Sequence, residues 1–290
     1  MPDVECIWPA EAILGEAPLW RPEEAALYWV DIEGRKVFRL VPQSGKRTVF
    51  SLDHEIGCIV HRAKGGFLAA LDAGLAYLSQ DLTKVDIFAD PEVGNPGVRL
   101  NDGKCDRRGR FWTASTDREE TQPLGSLYCL SGTEPVHTVL SDVIVGNGLG
   151  WSPDNRIMYF TDTGYGAIYA FDYDIESGTP ENRRLFASVD EADGAPDGLT
   201  VDAEGFVWSA HWNGWRITRY DPAGQIDRTI DLPVPNVTSL AFGGPDLDRL
   251  YITSAKLDMS ARDIAEAPLS GGLFAVDTGI RGLPEIPFTG

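Results

Sequence analysis

The sequence predicts an all-β chain, a six-bladed β-propeller of four-stranded antiparallel blades, and three observations carry that prediction. Alternating β-branched and aromatic segments bounded by Gly, Pro and Asp turns, such as "IMYFTDT" and "FVWSAHW", recur along the chain. That alternation is the pattern of half-buried strands. No window of useful length has a convincing 3.6-residue period. Six units of like form follow one another with starts about 40 to 50 residues apart, the spacing of four-stranded propeller blades.

The units are taken in order. "EAPLWRPEEAALYWVDIEGRKVFRLVP" opens at Glu16 and "GCIVHRAKGGFLAALDAGLAYLSQ" at Gly57. "NDGKCDRRGRFWTASTDREE", continued by "GSLYCLS", opens at Asn101, and "NGLGWSPDNRIMYFTDTGYGAIYAFDYD" at Asn147. "DGLTVDAEGFVWSAHWNGWRITRYDP" opens at Asp197, and "SLAFGGPDLDRLYITSAK" with its return "GGLFAVD" at Ser239. Each begins with a short apolar strand, turns at a segment such as "SPDN", "DAEG" or "GPDLD", and continues into a second strand and a third. A fourth usually ends in an apolar pair, as in "RRLFA" and "RTIDL". The segment near "VECIW" is expected to join the last blade and close the ring, which removes the open edges of a sheet.

Composition narrows the function. With 290 residues, 43% of them apolar, the chain can bury a large core, and no linker or low-complexity tract divides it, so one domain over residues 1–290 is expected. The 44 acidic residues against 25 basic ones, a net charge of −19, argue against a nucleic-acid partner, which needs clustered Lys and Arg. A cation or a neutral polar small molecule fits better. The first residues, "MPDVECIWPAEAILGE", lack a basic and then apolar leader, and no apolar run is long enough to span a membrane, so a cytoplasmic protein without a membrane partner is expected, monomeric or weakly oligomeric. Cys6, Cys58, Cys105 and Cys129 are scattered without a CxxC pair and read as reduced thiols buried in strands. No GxSxG elbow, HExxH, Walker loop or dinucleotide fingerprint is present.

The four segments "GEAPLW", "LNDGKCD", "GNGLGWSPD" and "PDGLTVDAEG" place Glu16, Asn101, Asn147 and Asp197 at the start of successive inner strands. In a propeller these strands line the central channel, and the loops between second and third strands gather at the same mouth. Those loops are "DIEGR", "STDREE", "TDTGYG", "HWNGW" and "SAKLD". Two carboxylates and an amide oxygen converging on an axis repel one another unless a cation lies between them. Glu16, Asn147 and Asp197 are therefore read as ligands of one divalent ion. All-oxygen donors suit Ca²⁺, Mg²⁺ or Mn²⁺, with Zn²⁺ or Fe²⁺ also possible. The bland alternative is that Asn-Gly and Asp-Gly serve as tight turns. The "GEAP" context of Glu16 is no turn signature, and the four positions are in phase.

The motifs "LGEAPLW", "RLNDGKCDRRGRFW", "GNGLGWSPD", "PDGLTVDAEGFVWSAHWNG", "FGGPDLDRLYITSA" and "GGLFAV", in that order over nearly the whole chain, resemble those of the senescence marker protein, gluconolactonase and luciferin-regenerating-enzyme family, the regucalcin-like propellers. The resemblance implies metal ligands at Glu16, Asn147 and Asp197 and a substrate-binding pair at Arg99 and Asn101. It also implies an acidic substrate contact at Glu119, where "STDREE" departs from the family's usual pattern. It further implies hydrolysis of an aldono-lactone to its aldonic acid. A bound divalent ion would serve as Lewis acid toward the lactone carbonyl. Asp197 would take the proton of the attacking water, or the ion itself would activate that water. Gluconolactone is the default substrate, with pentonolactones such as xylono- or arabinonolactone close behind. The rivals are hydrolysis of other esters, organophosphates included, and a calcium-binding regulatory role without turnover.

The remaining motifs are assigned less. His211 on "AHWNGW" is expected to be structural or surface-exposed rather than a ligand, and Asp31, Tyr165 and Lys256 are candidate specificity residues. "DYDIESG" at Asp172 resembles a calcium loop but reads as a strand and turn. Asn236, in "NVT", is expected to be unmodified.

Overall fold

Because each alternating segment can pair with the next one in the chain, the strands assemble locally. A computed structural model describes residues 3–132 and 134–290, and it contains six four-stranded antiparallel sheets, five with their strands in sequence order and the sixth completed by the first strand of the chain. Blade one comprises Gly15–Arg21, Ala26–Asp31, Lys36–Val41 and Lys46–Ser51. Blade two comprises Ile56–His61, Phe67–Leu71, Gly74–Leu78 and Val85–Ala89. Blade three comprises Val98–Cys105, Phe111–Asp117, Gly125–Leu130 and His137–Val143. Blade four comprises Gly146–Trp151, Ile157–Asp162, Ala167–Asp174 and Thr179–Ser188. Blade five comprises Ala195–Val201, Val207–Trp212, Arg216–Tyr220 and Ile226–Asp231. Blade six comprises Val237–Gly243, Arg249–Ser254 and Leu273–Asp277, and its fourth strand is Glu5–Trp8, paired antiparallel to Leu273–Asp277. The ring therefore closes as the sequence predicts.

Each inner strand packs on the inner strands of both neighbouring blades, all the way round. The core lies between blades. Trp29, Trp112 and Trp208, on the second strands of blades one, three and five, are among its largest fully buried side chains. Each such residue stabilises the fold by roughly 2–3 kcal/mol of burial. The four cysteines are free and in strands; Cys58, Cys105 and Cys129 are buried and Cys6 is partly so. Among the described residues no helix is long and apolar enough to cross a membrane.

One element departs from the sequence expectation. Ala261–Glu266 is helical, started by a capping box in which Ser260 Oγ accepts from the Asp263 N–H and the Asp263 carboxylate accepts from the Ser260 N–H. At six residues it is too short for a period to show.

At the end of the ring carrying the first-to-second-strand hairpins, two turns share a polar lock. Asp106 accepts from the Arg108 and Arg110 amides, from Arg110 Nε at 2.6 Å, from Trp112 Nε1 at 3.3 Å and from the Tyr173 hydroxyl at 2.6 Å. Asp202 accepts from the Glu204 and Phe206 amides, and from Trp208 Nε1 and Arg219 Nε, both at 2.9 Å. In both cases the Trp lies six residues after the Asp, and each Asp is completely buried.

Candidate metal centre and substrate cleft

All six inner strands carry a register irregularity against their second strands. They fall between Glu16 and Leu19, Ile56 and Cys58, Leu100 and Gly103, Gly146 and Leu149, Pro196 and Leu199, and Val237 and Leu240. A bulge leaves residues out of the ladder and re-aims their side chains. Glu16, Asn101, Asn147 and Asp197 all sit at these irregularities and are buried, 5 to 7% exposed. The tight-turn alternative therefore fails: Asn147–Gly148 and Asp197–Gly198 lie inside strands. Their glycines answer to crowding between inner strands. A Cβ on Gly148 would lie 2.3 Å from the Leu199 nitrogen, and one on Gly198 would lie 2.2 Å from Ser239 Oγ.

A line of hydrogen bonds fixes the amides. Arg99 Nη1 donates to Asn101 Oδ1 at 2.5 Å, and Asn101 Nδ2 donates to Asn147 Oδ1 at 3.0 Å and to the Gly146 carbonyl at 2.9 Å. Asn147 Nδ2 donates to Thr163 Oγ1 at 2.8 Å, and that hydroxyl donates to the Pro196 carbonyl at 2.7 Å. With its nitrogen committed to Thr163, Asn147 turns its oxygen toward Asn101, from which it accepts one hydrogen bond while keeping a second lone pair for an ion. Thr163 lies in the "TDTGYG" loop, whose position the sequence shows but whose hydroxyl role it does not.

The carboxylates are set differently. Glu16 Oε2 accepts from its neighbour's amide, Ala17 N–H, at 2.7 Å. Asp197 is held by the Gly198 amide. Burial pushes the Glu16 carboxyl well above the usual carboxylate range, and the charge of Asp102 pushes it further. Burial also raises Asp197, followed by the charges of Glu16, Asp102 and Glu120. Asp102, which sequence reasoning passed over as part of a turn, is raised by burial as well. Among the described residues none of these three carboxylates joins an ion pair, whereas Asp106 and Asp202 are each paired with an arginine. Buried anions without a cationic partner are strongly disfavoured. Two carboxylates and an oriented amide oxygen form the hard-oxygen donor set of a divalent cation, so these residues fit the ion that the sequence calls for.

Above them opens a cleft of about 470 Å³. Glu16, Arg99, Asn101, Glu119, Asn147 and Asp197 all line it, so the structure brings together every site residue the sequence predicts. It adds Asp117, Glu120, Thr163, Trp212 and Asp258 to the walls, and Glu33 from the "DIEGR" loop. Glu119 and Glu120 are both exposed at the rim. Glu120 is the glutamate whose charge Arg99 and Asp197 both sense; enclosure by the cleft pushes its own carboxyl up, and Arg99 pulls it back.

The specificity expectations for Asp31, Tyr165 and Lys256 change, while His211 and the "DYDIESG" segment are as the sequence predicts. Asp31 is no specificity residue: it is fully buried, and its carboxylate accepts from the Ile13, Leu14 and Gly34 amides. Asp162 does the same for Ile144 and Val145 in blade four. Tyr165 is exposed at the tip of the Thr163–Tyr165 turn, and neither it nor Lys256 lines the cleft. His211 is structural, buried with its Nδ1 3.0 Å from the Asp193 carbonyl. The "DYDIESG" segment is a strand end and turn in which Asp174 accepts from the Glu176 amide. Asn236 is buried and its Nδ2 donates to the Leu257 carbonyl.

Comparisons with known proteins show the family. A family model described as the SMP-30/Gluconolactonase/LRE-like region matches residues 14–256. The chain is 37% identical to regucalcin of Danio rerio over 292 residues, covering 99% of this chain and 98% of that one. It is 36% identical to the 6-deoxy-6-sulfogluconolactonase of Pseudomonas putida, covering 99% of each. The solved structure of a calcium-binding protein, regucalcin from Agrobacterium tumefaciens, superposes with a TM-score of 0.94 at 27% identity, covering 99% of this chain and 97% of that one. This chain belongs to the SMP-30/gluconolactonase/LRE-like family.

Proposed function

We propose that the protein is a divalent-metal-dependent lactonase that opens a sugar lactone, gluconolactone-like or a pentonolactone, to the aldonic acid. The observation that carries this reading is the juxtaposition of two buried, unpaired carboxylates and an oriented amide oxygen with an Arg–Asn pair on the wall of one cleft. The sulfogluconolactonase among the relatives supports the substrate class, and the calcium-binding neighbour supports the ion.

Glu16, Asn147 and Asp197 would hold the ion, which supplies Lewis-acid polarisation of the lactone carbonyl when bound. Arg99 and Asn101 orient the sugar: the Arg99–Asn101 hydrogen bond leaves further guanidinium N–H groups to donate to ring hydroxyls or the ring oxygen. Glu119 and Glu120 accept from hydroxyls at the rim. Asp197 is the general base. Its burial raises its proton affinity toward that of a useful base, and the Gly198 amide opposes the shift. Water adds to the carbonyl carbon, its proton passes to Asp197, and the ring C–O bond breaks as the alkoxide takes a proton back.

A calcium-binding role without turnover is the second reading, favoured by the description of the Agrobacterium tumefaciens neighbour. Acid release from a panel of aldono-1,4- and 1,5-lactones, with chelated protein and with single divalent ions restored, separates the two. Hydrolysis lost on chelation and restored by an ion supports the lactonase. No acceleration by folded, ion-loaded protein favours binding alone.

A further inference from the structure

Beyond blade six the chain crosses the ring on the side away from the cleft. The Arg281 carbonyl accepts from the Ala203 amide at 2.9 Å, and the Gly282 amide donates to the Leu247 carbonyl at 2.7 Å. These contacts are with the hairpins of blades five and six. A few residues on, Phe288 donates to His61 O at 2.7 Å and accepts from Ala63 N at 2.8 Å, and the Thr289 amide donates to Gly109 O at 3.1 Å. Those belong to blades two and three. In a ring of six these two pairs of blades face each other across the axis, so residues 283–287 bridge the floor of the central channel. Phe288 is completely buried and anchors the far end.

Glu285 stands in the middle of this strap. It pairs with Lys104 of the inner strand Val98–Cys105 at 3.1 Å. A cavity of about 30 Å³ beside it is lined by Glu285, Lys104, Asp102, Ser239 and Ala17, the residue that follows Glu16. This is room for about one water molecule. Lys104 is the cation that acts on Asp102 from below, and Glu285 opposes it.

We infer that the C-terminal strap is the electrostatic floor of the metal centre, with Glu285 offsetting the charge of Lys104 so that the ammonium does not oppose a divalent ion held above it. The inference rests on the metal-centre reading above. Left without Glu285, the Lys104 ammonium would turn its charge on the axial carboxylates and oppose the ion. Glu285 is a positioning residue here, and it acts through Lys104.

The test is titration of metal-free full-length protein with Ca²⁺ and with Mn²⁺, for wild type, Glu285→Gln, Lys104→Met and the double variant, each checked by thermal unfolding. Glu285→Gln is expected to bind roughly tenfold more weakly at low ionic strength, the scale of a unit charge acting through an effective dielectric of about 20. The difference should shrink in high salt. Lys104→Met in the Glu285→Gln background should restore wild-type affinity or exceed it. A folded Glu285→Gln protein that binds as tightly as wild type overturns the inference, and so does a double variant as weak as the single one. A wild-type protein that binds no ion overturns the metal-centre reading together with it.

Discussion

The chain buries carboxylates in two settings at opposite ends of its inner strands, and the contrast between them is what the proposed ion site rests on. At the hairpin end, Asp106 and Asp202 have both oxygens engaged by backbone amides, an indole N–H and an arginine. At the axis, Glu16 and Asp197 are almost as deeply buried but join no ion pair: Glu16 accepts from the Ala17 amide and the Ser239 hydroxyl, Asp197 from the Gly198 amide, and both lie among like charges. The fold supplies Arg110 and Arg219 to two buried aspartates and, among the described residues, leaves Glu16 and Asp197 without an ion pair on its axis, as the proposed ion site requires. Depth of burial does not separate structural from functional carboxylates here; the count of donors does.

The largest effect should come from the axis. Asp197→Ala is expected to lower lactone hydrolysis by on the order of 10³-fold or more, measured by acid release, in a protein that unfolds no earlier than metal-free wild type. Asp106→Ala should give the opposite profile. It strands the Arg110 guanidinium, the Trp112 N–H and the Tyr173 hydroxyl, and should cost roughly 3–5 kcal/mol in denaturant unfolding, with turnover per folded molecule preserved.

The two sets should also diverge with pH. Glu16 and Asp197 hold protons more tightly folded than unfolded, so in metal-free protein their contribution to stability is present at acid pH and is lost as pH rises above the usual carboxylate range. Chelated protein should therefore gain more in melting temperature from added ion at pH 8 than at pH 5, and Asp197→Asn should flatten the difference. Equal gains at both pH values would contradict the raised proton affinities.

Smaller effects refine the picture. Thr163→Val removes the acceptor that fixes Asn147 and should weaken ion binding roughly fivefold, the worth of a hydrogen bond of about 1 kcal/mol. Glu119→Gln and Glu120→Gln should each raise KM with little change in kcat. The larger rise is expected for Glu120, the one coupled to Arg99.

Six blades, their order and the closure by Glu5–Trp8 were legible because strand alternation and hairpin turns are local signals. The in-phase oxygen residues were legible too, since equivalent positions of a repeat converge on its axis. What the sequence could not show was tertiary. Asp102 and Asp197 sit in similar Asp-Gly contexts, yet one ends a run already begun by Asn101 and the other faces the cleft. Asp31 and Glu33, two residues apart in "DIEGR", go to an interblade latch and to the cleft wall. Glu119 and Glu120 are adjacent, and only the turn after Phe111–Asp117 decides which of them feels the charge of Arg99. The strap that brings Glu285 under the site follows the last strand, where no repeat predicts a path.

The most direct measurement is calorimetric titration of chelated protein with a divalent ion near neutral pH in buffers of different ionisation heat. One ion per chain, bound with release of protons and lost in Glu16→Gln and Asp197→Asn while Asp106→Asn retains it, is the predicted result. Binding that survives both axial substitutions, or no binding to folded protein, would contradict the assignment of the axis as the metal centre.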